Sequence, residues 1–181
     1  TGIFGNLMDH EVDVTAATTQ ANAIGGTFSL FQNAADYNTS QGPAVDAGKD
    51  LNASLYSSIS DGLLVLSGEF VPGAVFGDNE STFTSFFFNN TLSGGSNGYL
   101  DVTGGEWQET FDTNGVDIVG GVGTADLFAT FTFAPTDDAT SKGWTVAGTA
   151  DIRGNAVPEP GSLALLALGL LGLGVVTRRK A

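Results

Sequence analysis

Short runs in which apolar and polar residues alternate dominate the first 156 residues. Clear examples are TFSLF at 27–31, LLVLSGEF at 63–70 and DLFATFTF at 126–133. Alternation with a period of two is typical of strands with one buried face, and no stretch of this region keeps the 3.6-residue period of an amphipathic helix. The pattern predicts an all-β body of about eight or nine antiparallel strands, arranged as a β-sandwich or a jelly roll.

Turn residues separate the predicted strands. Asp61-Gly62 lies between NASLYSSIS (52–60) and LLVLSGEF, and it predicts a type I′ hairpin. Asn89-Asn90 predicts a second turn after STFTSFFF. GYLDVTGGEWQETF (98–111) fits either one bulged strand or two strands separated by Gly104-Gly105.

Phenylalanines are the predicted core of the body. Phe83, Phe128, Phe131 and Phe133 lie in the alternating runs, and burial of each contributes about 1.5–3 kcal/mol. The FFF of residues 86–88 breaks the alternation. We expect one of these three rings to point outward, or a bulge at this position.

Composition divides the chain into three parts. Residues 1–26 combine an apolar start with acidic and then small residues, which predicts either a first strand or an extension that adds to the sheet edge of a neighbour. Residues 27–156 form the β body. Residues 157–181 form a tail of different character, with two prolines, a long apolar run and three basic residues.

Charge narrows the range of partners. The net charge is -14, and residues 1–157 contain 19 of the 20 acidic residues but only three of the six basic ones. Nucleic acid is therefore not an expected partner, because a basic patch that could neutralise phosphates is missing. The chain has no cysteine, which excludes disulfides and thiolate chemistry. Since the chain begins at Thr1, we expect that a cleaved export signal preceded it.

The tail predicts a short apolar helix. From Gly161 to Thr177 it would extend roughly 25 Å, close to the hydrocarbon thickness of a bilayer. Three basic residues then act as a topological stop on the cytoplasmic side: Arg178, Arg179 and Lys180. The side chains expected in a membrane or in a helix–helix assembly are Leu163, Leu165, Leu166, Leu168, Leu170, Leu171, Leu173, Val175 and Val176.

The order Pro158-Glu159-Pro160, apolar helix and arginine-rich end resembles the PEP-CTERM sorting signal of Gram-negative bacteria. The resemblance covers only about the last 25 residues. It implies that an exosortase-type membrane protease recognises Pro158, Glu159 and Pro160, while the tail is transiently in the inner membrane. It also implies a secreted or cell-surface protein, because members of the family are exported and are linked to exopolysaccharide and to biofilm or floc formation.

Candidate chemistry in the body is sparse. Nucleophile, zinc-protease and phosphate-loop motifs do not occur, so we predict that the protein is not an enzyme and needs no cofactor. Asp112, Asn114 and Asp117 have part of the spacing of a calcium loop, although Asn114-Gly115 also fits a simple turn. His10, the only histidine, fits a solvated polar stretch better than a metal site.

Three functional classes remain open, and the third of them, an enzyme that acts on a matrix polymer, needs a paired acid and base that the sequence does not single out. The first is a non-enzymatic structural protein of the cell surface or of the extracellular matrix, as in biofilm or floc, which assembles into a homopolymeric filament. The alternative is a polysaccharide-binding module that is monomeric after tail processing, with Trp107 or Trp144 as exposed aromatic contacts.

Overall fold

The computed structural model describes residues 1–33, 60, 62–119, 123–135 and 146–157. Strands make up 65% of this part, which confirms the predicted all-β character. The elements are β1 (Gly2–Val14), β2 (Thr18–Gln32), β3 (Leu63–Val71), β4 (Phe83–Phe88), β5 (Gly94–Gly104), α1 (Gln108–Phe111), β6 (Val116–Asp117), β7 (Thr124–Ala125), β8 (Leu127–Pro135) and β9 (Val146–Gly154).

Seven of the strands form one antiparallel sheet in which β3 and β4 share a single position. The order is β1-β2-β3-β5-β8-β9, and β4 pairs with both β2 and β5. Along β5, Val71 lies opposite Tyr99 and Phe83 lies opposite the next residue, Gly98. β3 and β4 therefore run end to end as one strand, interrupted by the segment 72–82.

This interruption divides the sheet into two halves. We call β3 with its partner residues on β5, Tyr99–Gly104, the β3 half. The β4 half consists of β4 with its partner residues on β5, Gly94–Gly98. The Asn89-Asn90 turn predicted from the sequence joins β4 to β5.

The sheet curls tightly around its own apolar face. β1 and β8 are four positions apart, which corresponds to about 19 Å in a flat sheet. The rings of Phe4 on β1 and Phe131 on β8 nevertheless lie 5.3 Å apart, in an edge-to-face contact. The inner face of the curled sheet thus forms the core. Its fully enclosed members are Phe28, Leu66, Phe70, Leu100, Val102, Leu127 and Ala129.

Glycines make room for the large rings in this core. A Cβ at Gly98 would lie 2.8 Å from the ring of Phe70, so only glycine lets β5 approach β3 so closely. Gly26 of β2 has a φ of 103° and also contacts Phe70. Pairing registers shift between Leu30 and Phe31 and between Ser67 and Gly68, and such bulges increase the local twist.

A smaller apolar cluster covers part of the outer face. Tyr99 and Phe128 are cross-strand partners whose rings lie 4.8 Å apart. The two-stranded ribbon β6–β7 places Ile118 and Ala125 on this pair. Phe128 therefore belongs to the outer cluster, whereas Phe131 packs against the inner core.

The described residues do not contain the second large sheet that a sandwich or jelly roll requires. The predicted sandwich or jelly roll is therefore not confirmed. The described strands form the curled single sheet, in which bulges and glycines allow the phenylalanine face to close on itself. The stretch from Trp107 to Phe111, predicted as strand, is instead a helical turn after Gly105, whose φ is 101°. Residues 1–26 form β1 and most of β2, so they pair within the sheet of their own chain.

No helix among the described residues is long and apolar enough to cross a membrane. The apolar helix predicted for the tail lies outside the described residues. So do residues 52–59 of the strand predicted at 52–60, together with Asp61 of its hairpin turn.

Candidate functional site

The sorting residues predicted from the tail lie beyond the described part of the chain. This applies to Pro158, Glu159 and Pro160, to the apolar positions from Leu163 to Val176, and to the basic residues that follow. Trp144 also lies outside it. Trp107 is described and exposed, with its ring 6.4 Å from that of Phe111 at the helical turn.

The predicted calcium residues lie on one exposed loop between α1 and β6. Asp112 caps α1, Asn114 has a left-handed φ of 48°, and Asp117 belongs to β6. Within the described residues, no group of three or more His, Cys, Asp or Glu side chains is placed to hold a metal ion. Calcium binding stays a prediction, and the left-handed Asn114 fits the turn interpretation of Asn-Gly.

A buried carboxylate fixes this loop to the sheet. Asp126 is only 2% exposed, and its Oδ1 accepts the backbone N–H groups of Thr113 and Asn114, each at 2.6 Å. Its Oδ2 accepts the N–H of Val102 on β5 at 2.8 Å. Asp126 is therefore a structural acceptor that joins the loop to the β3 half.

Asp101, the neighbour of Val102 on β5, lies close to the carboxylate of Asp126 and is affected by its charge. Burial raises the pKa of its carboxyl group, and the negative charges of Asp126 and Asp112 raise it further, against a lowering contribution from the backbone N–H of Asp126. Its Oδ1 is buried without a hydrogen-bond partner among the described residues. Repulsion between the carboxylates of Asp101 and Asp126 is therefore a local electrostatic cost of anchoring the loop.

The segment 72–82 folds back toward β1 and forms a second candidate site. The carboxylate of Asp78 accepts the N–H groups of Glu80 and Ser81 and the hydroxyl of Ser81. These bonds lower the pKa of Asp78, with the Ser81 hydroxyl as the main cause. They also hold the segment in a fixed shape that leaves Phe76 79% exposed.

His10 lies where this segment meets β1. It is the extra residue at the register shift between Asp9 and Glu11, and its Nε2 is 3.6 Å from Oε2 of Glu80. An open groove of about 660 Å³ lies here, lined by His10, Glu11, Val75, Gly77, Asp78, Asn79 and Glu80. The groove is acidic and wide open, so it offers little enclosure to a small ligand.

Polar side chains cross the outer face of the β4 half in register. Asn22, Thr84, Asn97, Thr130 and Asp151 are successive cross-strand partners. The hydroxyl of Thr84 donates to Oδ1 of Asn22 at 2.7 Å. The parallel row two residues along the strands consists of Gln20, Phe86, Gly95, Thr132 and Thr149.

Two exposed rings stand on this face. Phe86 and Phe88 are 44% and 49% exposed, and their rings meet edge to face at 5.6 Å. Gly95 is the cross-strand neighbour of Phe86 and has no side chain, so a shallow trough lies between the two rings on β4 and the threonines of β8. The hydroxyl of Thr130 lies 3.5 Å from the carbonyl oxygen of Asp151 on β9, and that of Thr132 lies 2.7 Å from the hydroxyl of Thr149. We call this surface the Phe86 trough; it comprises Thr84, Phe86, Phe88, Gly95, Asn97, Thr130 and Thr132.

The trough was not predicted from the sequence, although the sequence pattern of two of its strands indicates which side chains share a face. In STFTSFFF the residues at 84, 86 and 88 share one face, and in DLFATFTF the threonines at 130 and 132 do so. Two of the three rings at 86–88 point outward rather than one, and β4 pairs without a bulge. Only the pairing of β4 and β8 with the same strand, β5, shows that these residues form one surface.

Comparison with known proteins identifies the tail. The model of the PEP-CTERM protein-sorting motif matches residues 156–180, in agreement with the resemblance found in the sequence. This motif indicates an exported protein that is sorted to the cell surface of a Gram-negative bacterium and is processed by an exosortase, a membrane protease. No curated protein and no solved structure matches the chain significantly.

Proposed function

We propose that the exported chain is a non-enzymatic structural protein of the cell surface or extracellular matrix, which assembles by pairing of its sheet edges. The observation that carries the proposal is the pair of edge strands, β1 and β9. Among the described residues, no strand pairs with the outer edge of either one. A free edge offers unpaired N–H and C=O groups to another chain.

Strand direction supports head-to-tail pairing. The sheet has six positions and all of its neighbours are antiparallel. β1 and β9 therefore point in opposite directions, and β9 of one copy would meet β1 of an equally oriented copy in an antiparallel pair. Contacts between two different surfaces of a protomer give open filaments when they do not close into rings.

Acidic side chains make this pairing dependent on salt. β1 carries Asp9, Glu11 and Asp13, and β9 carries Asp151 beside Arg153, whose Nε donates to Asp151 at 2.8 Å. Because the net charge is -14, copies repel one another at low ionic strength. We expect assembly to increase as this repulsion is screened.

Sedimentation velocity of the full chain tests the proposal, in a detergent without a sugar headgroup. Raising NaCl from about 0.01 M to about 1 M shortens the Debye length from about 30 Å to about 3 Å. We expect the sedimentation coefficient to rise with salt, and the double variant Asp9→Asn/Asp13→Asn to assemble already at low salt.

A matched control removes the same charge elsewhere. Glu106→Gln/Glu109→Gln changes two exposed carboxylates at the helical turn, away from both edge strands, and should behave as the unchanged protein. Equal behaviour of the two double variants, or one size at every salt concentration, would contradict edge pairing. Association through the apolar tail alone would not distinguish the two variants.

A further inference from the structure

We propose that the Phe86 trough binds one chain of a neutral polysaccharide. This proposal concerns the outer face of the sheet, and therefore does not depend on pairing of the sheet edges.

The width and lining of the trough suit an extended sugar chain. β4 and β8 are two strand spacings apart, about 9.6 Å, with β5 as the floor. Phe86 and Phe88 form an apolar wall on one side, and Thr130 and Thr132 line the other. Their hydroxyls already bond to β9, at the carbonyl oxygen of Asp151 and at Oγ1 of Thr149, so each oxygen offers a sugar its remaining lone pair as an acceptor. Sugar rings present C–H faces to aromatic side chains and hydroxyls at their rims, so both walls have a matching partner.

The floor provides polar groups that are open to bonding. Gly95 leaves space beside Phe86, and Asn97 lies half-buried next to it along the strand. Within the described part of the chain, the Asn97 amide makes no side-chain hydrogen bond. An amide supplies both a donor and an acceptor, which is the combination that a sugar hydroxyl requires.

The acidic side chains around the trough favour a neutral polysaccharide over an acidic one. The trough contains no charged side chain, whereas Glu11 and Asp13 lie at one margin of the face and Asp151 at the other. Together with a net charge of -14, these carboxylates would repel an acidic polymer. Asp151 is already paired with Arg153, so a cation for an acidic sugar is not available in the trough.

A peptide strand is a poor alternative occupant. The trough is built on β4, β5 and β8. Each of these strands already pairs with a neighbour on both sides, so their backbone groups are not free for another strand. Strand addition takes place at a free edge rather than on a face. The trough also offers only two large apolar side chains, fewer than a stable protein interface usually buries.

Affinity electrophoresis tests the proposal with the full chain in a detergent without a sugar headgroup. Native gels contain dextran, pullulan, galactomannan or hydroxyethylcellulose as neutral polymers, and polygalacturonate as the acidic one. We expect at least one neutral polymer to slow migration, and polygalacturonate to have no such effect. Phe86→Ala/Phe88→Ala should raise the apparent Kd about tenfold or more.

Two further variants make the result specific. Phe76→Ala removes a still more exposed ring from the segment 72–82 and should leave the Kd unchanged. Thr130→Val/Thr132→Val preserves shape and strand propensity but removes two hydroxyls, and should weaken binding about fivefold or more. This second double variant decides the case if the phenylalanine variant does not fold, as judged by circular dichroism.

Several results would overturn the proposal. These are no retardation by any of the neutral polymers, an equal loss in Phe76→Ala, or stronger retardation by polygalacturonate. If Phe86→Ala/Phe88→Ala migrates differently from the unchanged protein even in a gel without polymer, the face contacts a second copy of the chain instead. Loss of edge pairing in the salt experiment would leave this proposal intact, so the two can fail separately.

Discussion

The β3 half and the β4 half are consecutive stretches of one sheet position, yet they differ in how they are covered. In the β3 half, Leu66, Phe70 and Leu100 fill the inner core, while the ribbon β6–β7 covers Tyr99 on the outer side. In the β4 half, Phe83 reaches the inner core, but Phe86 and Phe88 remain exposed outside.

This difference separates stability from recognition. Apolar groups enclosed on both faces stabilise the β3 half, and Asp126 adds three backbone hydrogen bonds there. The β4 half has one face partly buried against the core and offers the other to solvent, which is the arrangement of a binding surface on a support. We therefore expect substitutions in the first half to affect folding and those in the second to affect binding.

The largest effect is expected at Asp126. Asp126→Ala leaves three N–H groups without their acceptor, and hydrogen bonds to charged groups contribute about 1.5–3 kcal/mol each. Since water replaces some of them, we expect a loss of about 3–5 kcal/mol in the free energy of unfolding, measured by urea titration. Asp117→Ala, at an exposed carboxylate on the same loop, should change it by less than about 0.5 kcal/mol. Similar losses in both variants would contradict the anchoring role.

A smaller effect, of opposite sign, is expected at Asp101. Because burial and the neighbouring charges raise the pKa of its carboxyl, the folded state keeps this proton to a higher pH than the unfolded state does. Stability from this group therefore falls as the pH rises from its unfolded pKa through its folded pKa. Asp101→Asn should raise the midpoint of thermal unfolding at pH 7, and the gain should disappear in acid.

The exposed Glu106→Gln, away from both edge strands, is the comparison for this experiment. It should change the midpoint little, and equally at both pH values. A destabilised Asp101→Asn protein at pH 7 would show that the carboxylate is required as an acceptor, in contradiction to its unpartnered Oδ1.

The alternation of apolar residues was sufficient to predict most of the strands. LLVLSGEF became β3, DLFATFTF became β8, and the second part of GWTVAGTADI became β9. These runs alternate because each strand buries one face, and that requirement is local. The Asn89-Asn90 turn was also predicted from its adjacent residues. Its hydrogen bonds to Thr15, Ala17 and Thr19, which are distant in sequence, were not.

The arrangement of the strands could not be predicted in the same way. β3 and β4 are collinear because each of them pairs with β2 and with β5. β2 is distant from both in sequence. The curl depends on contacts such as that between Phe4 and Phe131. The Phe86 trough depends on both, because its residues come from three strands. The tail, by contrast, was identified from sequence because a sorting signal is a local motif.

Hydrogen exchange of the full chain, alone and with the polymer that binds most tightly in the gels, tests the division of the sheet most directly. Without polymer, amides of Leu63–Val71 and Tyr99–Gly104 should exchange most slowly, since the inner core covers one face and the ribbon β6–β7 covers Tyr99 on the other. With polymer, added protection should appear in β4, in Gly94–Gly98 and at Thr130 and Thr132, and not in the β3 half. Added protection centred on the β3 half or on the segment 72–82, or faster exchange in the β3 half than in the β4 half without polymer, would contradict the account.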